Sequence, residues 1–244
     1  MPRSSSLEIP GATGWIEKDG FLVHSALTAL GLAHAFTTRR QGSMKEAARR
    51  GAAAALLGLP EPLVLKQVHG TEVHPAAHSA QGLEGDGWTL GPGDEDLCVA
   101  VFAADCMPLF LWSDDGRHAG VFHAGWKGMA AGMPGRAVGA LVARGATAAR
   151  LNAAFGPHIG VDAYRVGPEL EARFPASSFS RRPDGPHLDL GADARRQLTE
   201  AGLRPEAIGP SAPCTLSNDG FFSFRRDKQD ARMMALLSLS RRPA

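Results

Sequence analysis

The stretch VAVFAADCMPLFLWSDDGRHAGVFHAGWKGM, from Val99 to Met129, decides the fold, because three apolar runs follow one another with only short connections. LCVAVFAA, MPLFLW and RHAGVFHA each predict a strand, and the turn SDDG between the last two suits an antiparallel pair. The pattern therefore predicts a three-strand meander, with Cys106 at one corner and His123 at the end of the third strand.

Other segments continue the alternation of short strands and a few helices. Strands are predicted at LAHAFTTR, LNAAFG, HLDL and FFSFRR, and PLVLKQVHGTEVHPA predicts a hairpin broken at Gly70. MKEAARRGAAAALLGL predicts a helix that ends near Gly58. A second helix is expected from Met129 to Arg144, where Pro134 marks a start or a kink.

The last third of the chain adds a helix from Ala192 to Ala201 and a Pro- and Ser-bearing surface loop from Arg173 to Pro186. There is no internal repeat and no clear domain boundary. The sequence therefore predicts one α+β domain of residues 1–244.

Composition excludes several classes of protein. The 26 basic and 25 acidic side chains give a formal charge of +1, so no cationic excess is available for nucleic acid or anionic lipid. The beginning MPRSSSLEIPGATGW has no apolar core of signal-peptide length, and no apolar run reaches a bilayer span. The three cysteines favour reduced thiols over a disulfide framework. We expect a cytoplasmic protein that binds neither nucleic acid nor membrane.

Three side chains that can bind a metal stand where predicted strands end. His69 follows LVLKQV, Cys106 lies between two strands, and His123 follows GVF. Two imidazoles and a thiolate suit zinc or copper, and three protein ligands leave a position for water or substrate. The spacings of 37 and 17 residues do not identify a metal site by themselves. The spacings alone favour a core position for Cys106 and a backbone hydrogen bond for each histidine. A nucleophile with its base is a further alternative.

Six motifs occur in an order typical of one family. They are LKQVHG, GDG, ADCMP, HAGWKG, GPHIGVDAYRVG and FFSFRR. On these motifs the chain, from about Ala33 to Leu239, resembles the YfiH-like family. This family is also called the multicopper polyphenol oxidase or laccase-domain family, and its members are described as purine nucleoside phosphorylases.

The resemblance implies a fold, a ligand set and an activity. The fold is a layered arrangement of mixed sheets and helices, compared with cytotoxic-necrotizing-factor-like cysteine hydrolases. The implied ligands of Zn²⁺ or Cu²⁺ are His69, Cys106 and His123, which are also the implied catalytic residues. The implied reactions are phosphorolysis of adenosine, inosine and methylthioadenosine, and deamination of adenosine. Activation of water by a three-ligand zinc suits the deamination.

Phosphorolysis also needs a phosphate held in place, and the motifs suggest residues around the substrate. Arg39 matches the arginine of a family T-T-R motif, and Lys127 stands where the family has arginine; both are candidate phosphate ligands. Asp86 and Asp105 are candidates to orient the histidines or to bind a ribose hydroxyl. The indole of Trp126 is a candidate to stack on the purine. A solvated surface position, a turn cap or a core position is the alternative for each.

The chain also departs from the family pattern around the expected cleft. A longer insert after TTRRQGS is absent, Arg165 replaces a carboxylate, and Asp230 with Ala231 replaces a threonine-glycine pair. Lys127 lacks the fork of an arginine, which predicts looser orientation of phosphate.

Three alternatives to the purine nucleoside enzyme therefore stay open. One is a peptidoglycan-precursor editing hydrolase that uses the same cleft, with either Cys106 as nucleophile or metal-bound hydrolysis. The second is a copper polyphenol oxidase, although one Cys/His₂ centre lacks the His-x-His pairs of a multicopper cluster. The third is a non-catalytic metal-binding protein.

Overall fold

The apolar runs of the sequence form two large β-sheets. The computed structural model describes residues 14–80 and 82–241, and the backbone alone of a strand at Leu7–Glu8. The strands are β1 (Leu7–Glu8), β2 (Trp15–Lys18), β3 (Phe21–His24), β4 (Leu32–Phe36), β5 (Leu63–Val64), β6 (Val73–Pro75), β7 (Gly87–Leu90), β8 (Cys98–Ala103), β9 (Met107–Ser113), β10 (Ala119–Ala124), β11 (Leu151–Phe155), β12 (Phe179–Arg182), β13 (Gly185–Leu188) and β14 (Met233–Arg241).

The helices are short, and most of them cover the outer faces of the sheets. They are α1 (Ser25–Ala29), α2 (Ala47–Leu56), α3 (Trp126–Ala130), α4 (Met133–Val142), α5 (Leu190–Glu200) and α6 (Phe224–Asp227). Among residues 14–80 and 82–241, no helix combines the length and the apolar character that a membrane span requires.

Both large sheets are mixed. The first has seven strands in the order β1-β2-β3-β4-β14-β8-β5, and the second has five in the order β11-β9-β10-β7-β6. Only β5–β8 in the first sheet and β6–β7 in the second are parallel pairs. A separate antiparallel pair joins β12 to β13.

The fold has four layers, namely two sheets between two layers of helices. Each large sheet is apolar on both faces, so three apolar clusters separate these layers. One cluster fills the space between the sheets and includes Trp15 and Phe36 from the first sheet and Phe110 from the second. A second cluster packs the outer face of the five-stranded sheet against α4 and α5. A third packs the seven-stranded sheet against α2. This arrangement confirms the predicted α+β fold of layered mixed sheets.

Strand β9 shows how the sequence produces these layers. Its side chains alternate between the two faces of the sheet, as the period of a strand requires. Phe110 and Trp112 face the space between the sheets, and Leu109 and Leu111 face the helical layer. A strand buried on both faces has a nearly continuous apolar sequence.

The predicted meander is wrong at its first connection. β9 and β10 pair as expected, with Phe110 opposite Val121. β8 instead belongs to the seven-stranded sheet, between β14 and β5. The segment 104–106 therefore carries the chain from one sheet to the other, and Cys106 lies in that crossing.

The hairpin predicted around Gly70 is also wrong, for the same reason. β5 pairs with β8 in the first sheet, whereas β6 pairs with β7 in the second. Residues 65–72 form a second crossing between the sheets. His69 lies in it with a positive φ of 61°.

Several other boundaries differ from the sequence prediction. FFSFRR is not a strand: its end forms α6, because the Ser223 hydroxyl caps the helix by accepting from the Arg226 amide. The helix expected from Met129 divides at Gly132, and Pro134 starts α4 instead of kinking it. The predicted surface loop from Arg173 contains β12. HLDL is a strand only to Leu188, because Asp189 caps α5 and Leu190 begins it. The other predicted strands, α2 and the helix predicted from Ala192, which is part of α5, are present.

Candidate metal centre and substrate cavity

His69, Cys106 and His123 come together where the two sheets exchange strands. Their potential ligand atoms all lie within 4.8 Å of one another. The two imidazole rings are nearly perpendicular, with centroids 4.8 Å apart. His123 is 2% exposed at the end of β10, Cys106 is half-buried and His69 is exposed. The cluster therefore has a fixed inner member and an accessible outer member.

Asp86 holds both histidines in place. Its carboxylate is fully buried and accepts from His123 Nδ1 at 2.8 Å. It also accepts from the backbone amides of His69 at 3.0 Å and Gly70 at 2.7 Å. One side chain thus orients the His123 ring and fixes the backbone that carries His69.

Close packing leaves no room for a side chain at Gly125, two residues after His123. A Cβ at this position would lie 2.8 Å from Cys106 Sγ and 3.3 Å from His69 Cδ2. Glycine is therefore required for the cluster to close.

Electrostatic coupling favours charged groups in the cluster. Burial raises the pKa of the Cys106 thiol, but the charges and hydrogen bonds of His123 and His69 lower it by more. Burial lowers the pKa of His123, whereas the Cys106 thiolate and the Asp86 hydrogen bond raise it. The net effect lowers the pKa of Cys106 to about 6, which favours the thiolate, the form that binds metals.

The donor set fits a zinc or copper ion. The contact with Asp86 leaves His123 Nε2 for a ligand, and carboxylate support of this kind is common behind metal-binding histidines. Ligand atoms of a tetrahedral zinc site lie roughly 3.5 Å apart, so the widest pair has to close by about 1 Å. The exposed ring of His69 can make that adjustment.

Two cavities meet at the cluster. The first, which we call the front cavity, has a volume of about 400 Å³, and the second, the rear cavity, about 570 Å³. His69 and Cys106 line both. The front cavity is also lined by Asp105, Trp126, Lys127, Tyr164, Phe224, Arg225 and Lys228. A ligand in either cavity reaches the cluster.

The front cavity has an electropositive wall. Lys127, Arg225 and Lys228 have no ion-pair partner in the described part of the chain. Most cations of the rear cavity are paired: Lys45 and Arg232 both contact Asp230, and Lys66 contacts Glu84. Arg50 is the exception within the described residues, and its Nη1 donates to the backbone carbonyls of Met44 and Lys45. An anion therefore meets three unpaired cations in the front cavity and one in the rear cavity.

The structure places the predicted substrate residues in different environments. Trp126, Lys127 and Asp105 line the front cavity. Asp86 is behind the histidines, out of contact with that cavity. Arg39 lines neither cavity, and its guanidinium contacts Asp227, donates to the Phe221 carbonyl and covers the Phe222 ring.

Asp105 connects the cluster to α6. It has a positive φ of 84°, and its carboxylate accepts from Thr215 Oγ1 at 2.6 Å and from the Arg225 amide at 2.7 Å. This contact places Arg225 beside Tyr164, with the guanidinium carbon 5.0 Å from the ring centroid.

Sequence reasoning missed the contribution of α6 to the cavity. Phe224, Arg225 and Lys228 were hidden because FFSFRR was predicted to be a strand. The available signal was Ser223 followed by the charged run RRDK, a helix-capping pattern. Arg165, the expected charge reversal, is exposed, and its carbonyl accepts from Arg225 Nη1 at 2.6 Å.

Comparisons with known proteins agree with this architecture. The structure of YlmD from Geobacillus stearothermophilus superposes with a TM-score of 0.82 at 25% identity, covering 95% of this chain and 100% of that one. The structure of the Bacillus licheniformis hypothetical protein YfiH gives a TM-score of 0.80 at 24% identity, covering 92% of this chain and 98% of that one. These two matches support the fold.

Two relatives are both named purine nucleoside phosphorylase. The protein from Xylella fastidiosa strain 9a5c is 37% identical over 194 residues, which cover 74% of each chain. The protein from Deinococcus radiodurans is 35% identical over 239 residues, covering 87% of this chain and 91% of that one. The model of the multi-copper polyphenol oxidoreductase laccase family matches residues 38–240. The chain belongs to this family.

Proposed function

We propose that this protein is a zinc-dependent purine nucleoside phosphorylase that also deaminates adenosine. The observation that carries the proposal is the His69–Cys106–His123 cluster at the border of a cavity with three unpaired cations. The names of the relatives support the same substrate class. Adenosine, inosine and methylthioadenosine are the proposed nucleosides, and inorganic phosphate is the second substrate.

In phosphorolysis an oxygen of phosphate bonds to C1′ of the sugar while the C1′–N9 bond breaks. The electron pair of that bond leaves with the purine, which takes up a proton. The products are the free base and a sugar 1-phosphate. Lys127, Arg225 and Lys228 bind the phosphate and offset its charge, which holds the nucleophile against the sugar.

The cluster of His69, Cys106 and His123 would hold the metal ion. When bound, zinc acts as a Lewis acid toward an oxygen or nitrogen at the reacting centre, which suits the loss of ammonia from adenosine as well. Asp86 keeps His123 oriented. Tyr164, which is 8% exposed, gives the front cavity one buried aromatic wall.

Metal analysis followed by product detection tests this function. Purified protein is expected to contain about one zinc per chain, to release hypoxanthine from inosine only when phosphate is present, and to convert adenosine to inosine without phosphate. Zinc-loaded protein that forms none of these products would contradict the proposal.

A second candidate is a hydrolase with Cys106 as nucleophile, acting on peptidoglycan precursors. It is favoured by the arrangement of three side chains. The Asp86 carboxylate accepts from the imidazole of His123, the candidate base, and this imidazole adjoins the Cys106 thiol. Cys106→Ser separates the two candidates. Loss of both zinc and turnover supports the ligand role, whereas retained zinc with lost turnover and a lost covalent adduct supports the nucleophile.

A further inference from the structure

A smaller cavity opens beside the front cavity, on the side away from His123. It has a volume of about 300 Å³ and shares three walls with the front cavity, namely Trp126, Tyr164 and Arg225. We call it the side pocket. A ligand that begins at the metal cluster can therefore continue past these three side chains into a separate space.

The walls of the side pocket suit a flat ring. Trp126 is half-buried and offers its indole to both cavities. Tyr164 and Leu170 are 8% and 6% exposed and form rigid apolar walls. Aromatic walls with a few polar groups are typical of pockets for heteroaromatic ligands.

Two charged groups of opposite sign face this pocket without neutralising each other. Glu169 and Arg173 lie four residues apart on the 3-10 segment Pro168–Arg173, and both line the pocket. Neither has an ion-pair partner within residues 14–80 and 82–241, whereas Glu171 between them pairs with Arg181 at 2.7 Å. The guanidinium carbon of Arg173 is 5.8 Å from the centroid of the Trp126 ring.

A glycine sets the position of the Glu169 carboxylate. A Cβ at Gly167 would lie 2.1 Å from Glu169 Oε2, so the carboxylate folds back over this residue and over the pocket wall. The absence of a side chain at residue 167 therefore leaves room for the exposed Glu169 carboxylate to lie at the pocket wall as a hydrogen-bond acceptor. A carboxylate accepts from N–H groups, and a guanidinium donates to ring nitrogens or carbonyl oxygens.

We propose that the side pocket binds the purine base, stacked on Trp126, and that Glu169 selects bases with an N–H donor on the six-membered ring. This inference rests on the proposed function. Adenine offers its 6-amino group and hypoxanthine its N1–H, and Arg173 faces the acceptor atoms of either base. This orientation serves phosphorolysis, with the sugar in the front cavity; deamination needs the opposite orientation, with C6 at the cluster. Purine itself has no donor on the six-membered ring, so it leaves the carboxylate unpaired.

Binding of free bases tests the subsite without any turnover. Of the four tryptophans, Trp15, Trp88 and Trp112 are buried, so Trp126 reports quenching by a stacked base. Adenine is expected to quench the fluorescence at concentrations about tenfold to hundredfold lower than purine, the range expected for a hydrogen bond to a charged group. Trp126→Phe should abolish the quenching.

Two glutamate variants provide the matched comparison. Glu169→Leu should bring adenine and purine to equal affinity, whereas Glu171→Leu on the same segment should preserve the difference. In phosphorolysis the kcat/KM ratio of adenosine to purine riboside should fall about tenfold or more in Glu169→Leu alone.

The outcomes also separate this inference from the proposed function. An enzyme that phosphorolyses nucleosides but keeps its preference for adenine in Glu169→Leu overturns the subsite. A protein without turnover that still discriminates adenine from purine through Glu169 supports the subsite and contradicts the phosphorylase.

Discussion

At the scale of single residues, one buried carboxylate organises the candidate centre. Asp86 accepts hydrogen bonds from the His123 ring and from three consecutive backbone amides at residues 68–70. Burial raises the pKa of Asp86, but these hydrogen bonds lower it by more, so the group is ionised. Its charge favours a proton on His123 Nδ1, which leaves the lone pair of Nε2 for a metal ion when the ring is neutral.

Asp86→Asn is expected to weaken zinc binding by about tenfold to hundredfold, because supporting carboxylates contribute this much to metal affinity. Competition with a chromogenic chelator measures the effect. Asp94→Asn is the matched control, since Asp94 is 2% exposed and pairs with Arg144 away from the cluster. Equal affinities of the two variants would show that Asp86 does not orient the ligands.

A buried histidine outside the candidate centre, His24, makes the stability of the fold depend on pH. It is 7% exposed, lies against the rings of Trp15 and Trp112, and its Nδ1 has no hydrogen-bond partner. His34 Nε2, the nearest titratable contact, accepts from the backbone amide of His24. Burial lowers the pKa of His24 from 6.5 to about 4.

Between these two pKa values the unfolded chain binds a proton at residue 24 and the folded chain does not. The free energy of unfolding should therefore fall by about 3 kcal/mol as the pH drops from 6.5 to 4. In His24→Phe, urea denaturation should show a fall in the free energy of unfolding that is smaller by this amount. The part of the pH dependence that comes from carboxylates should remain. The same pH dependence in both proteins would exclude His24 as the cause.

At the scale of elements, the break between α3 and α4 depends on a single glycine. Gly132 has a positive φ of 88° and precedes the first turn of α4, whereas Gly139 lies inside α4 with ordinary helical geometry. A Cβ at either position would meet nothing within 4 Å. The two positions therefore differ in backbone conformation and not in space.

Gly132→Ala should lower the free energy of unfolding by about 1 kcal/mol, because alanine is strained at positive φ. Gly139→Ala should raise it by about 0.4–1 kcal/mol, because alanine restricts the unfolded chain and favours the helix. Thermal or urea unfolding of the two variants gives the comparison. Changes of the same sign would contradict this account of the break.

The sequence predicted whether a segment is a helix or a strand where its periodicity was strong. It did not predict which strands pair with one another. β9 and β10 were found because a tight turn joins strands that pair locally. β8 was identified as a strand but assigned to the wrong sheet, since nothing in residues 104–106 reveals that the chain crosses there. β14 was not predicted. Its central place in the seven-stranded sheet depends on contacts with β4 and β8, which are far away in sequence.

The candidate site shows the same division. The motifs located His69, Cys106 and His123, and the structure brings these side chains together. The proposed roles of Glu169 and Arg225 could not be assigned from sequence, because each depends on a cavity between segments that meet only in the folded chain. Arg39 was expected near phosphate on motif grounds, and its contacts with Asp227 and Phe222 become visible only in three dimensions.

At the scale of the whole molecule, the candidate centre joins the two large sheets. His69 and Cys106 lie in the two segments that cross from the seven-stranded to the five-stranded sheet, and His123 ends β10 within the latter. Trp15 makes another link, because its indole on β2 donates to the Phe155 carbonyl on β11 at 2.9 Å. Asp86 joins only the first crossing, at residues 68–70, to His123. An ion bound by the three side chains therefore adds a cross-link that also includes the second crossing, through Cys106.

Zinc should consequently stabilise the fold as a whole. An ion that binds only the folded chain raises the free energy of unfolding by about 2.7 kcal/mol at a free concentration one hundred times its Kd. Urea unfolding with buffered zinc should show this increase in the parent protein and its reversal by a chelator. Cys106→Ser should lose most of it, because a hydroxyl is a poor zinc ligand at neutral pH.

Cys214→Ser is the matched control, since this half-buried thiol lies outside the cluster, where it accepts from the Gly160 amide. This variant should keep the full zinc-dependent increase even if its starting stability is lower. If both serine variants respond to zinc as the parent does, the ion binds elsewhere, and the crossings do not form a metal centre. If only Cys106→Ser fails to respond, the same three side chains that adjoin the front cavity also stabilise the junction of the two sheets.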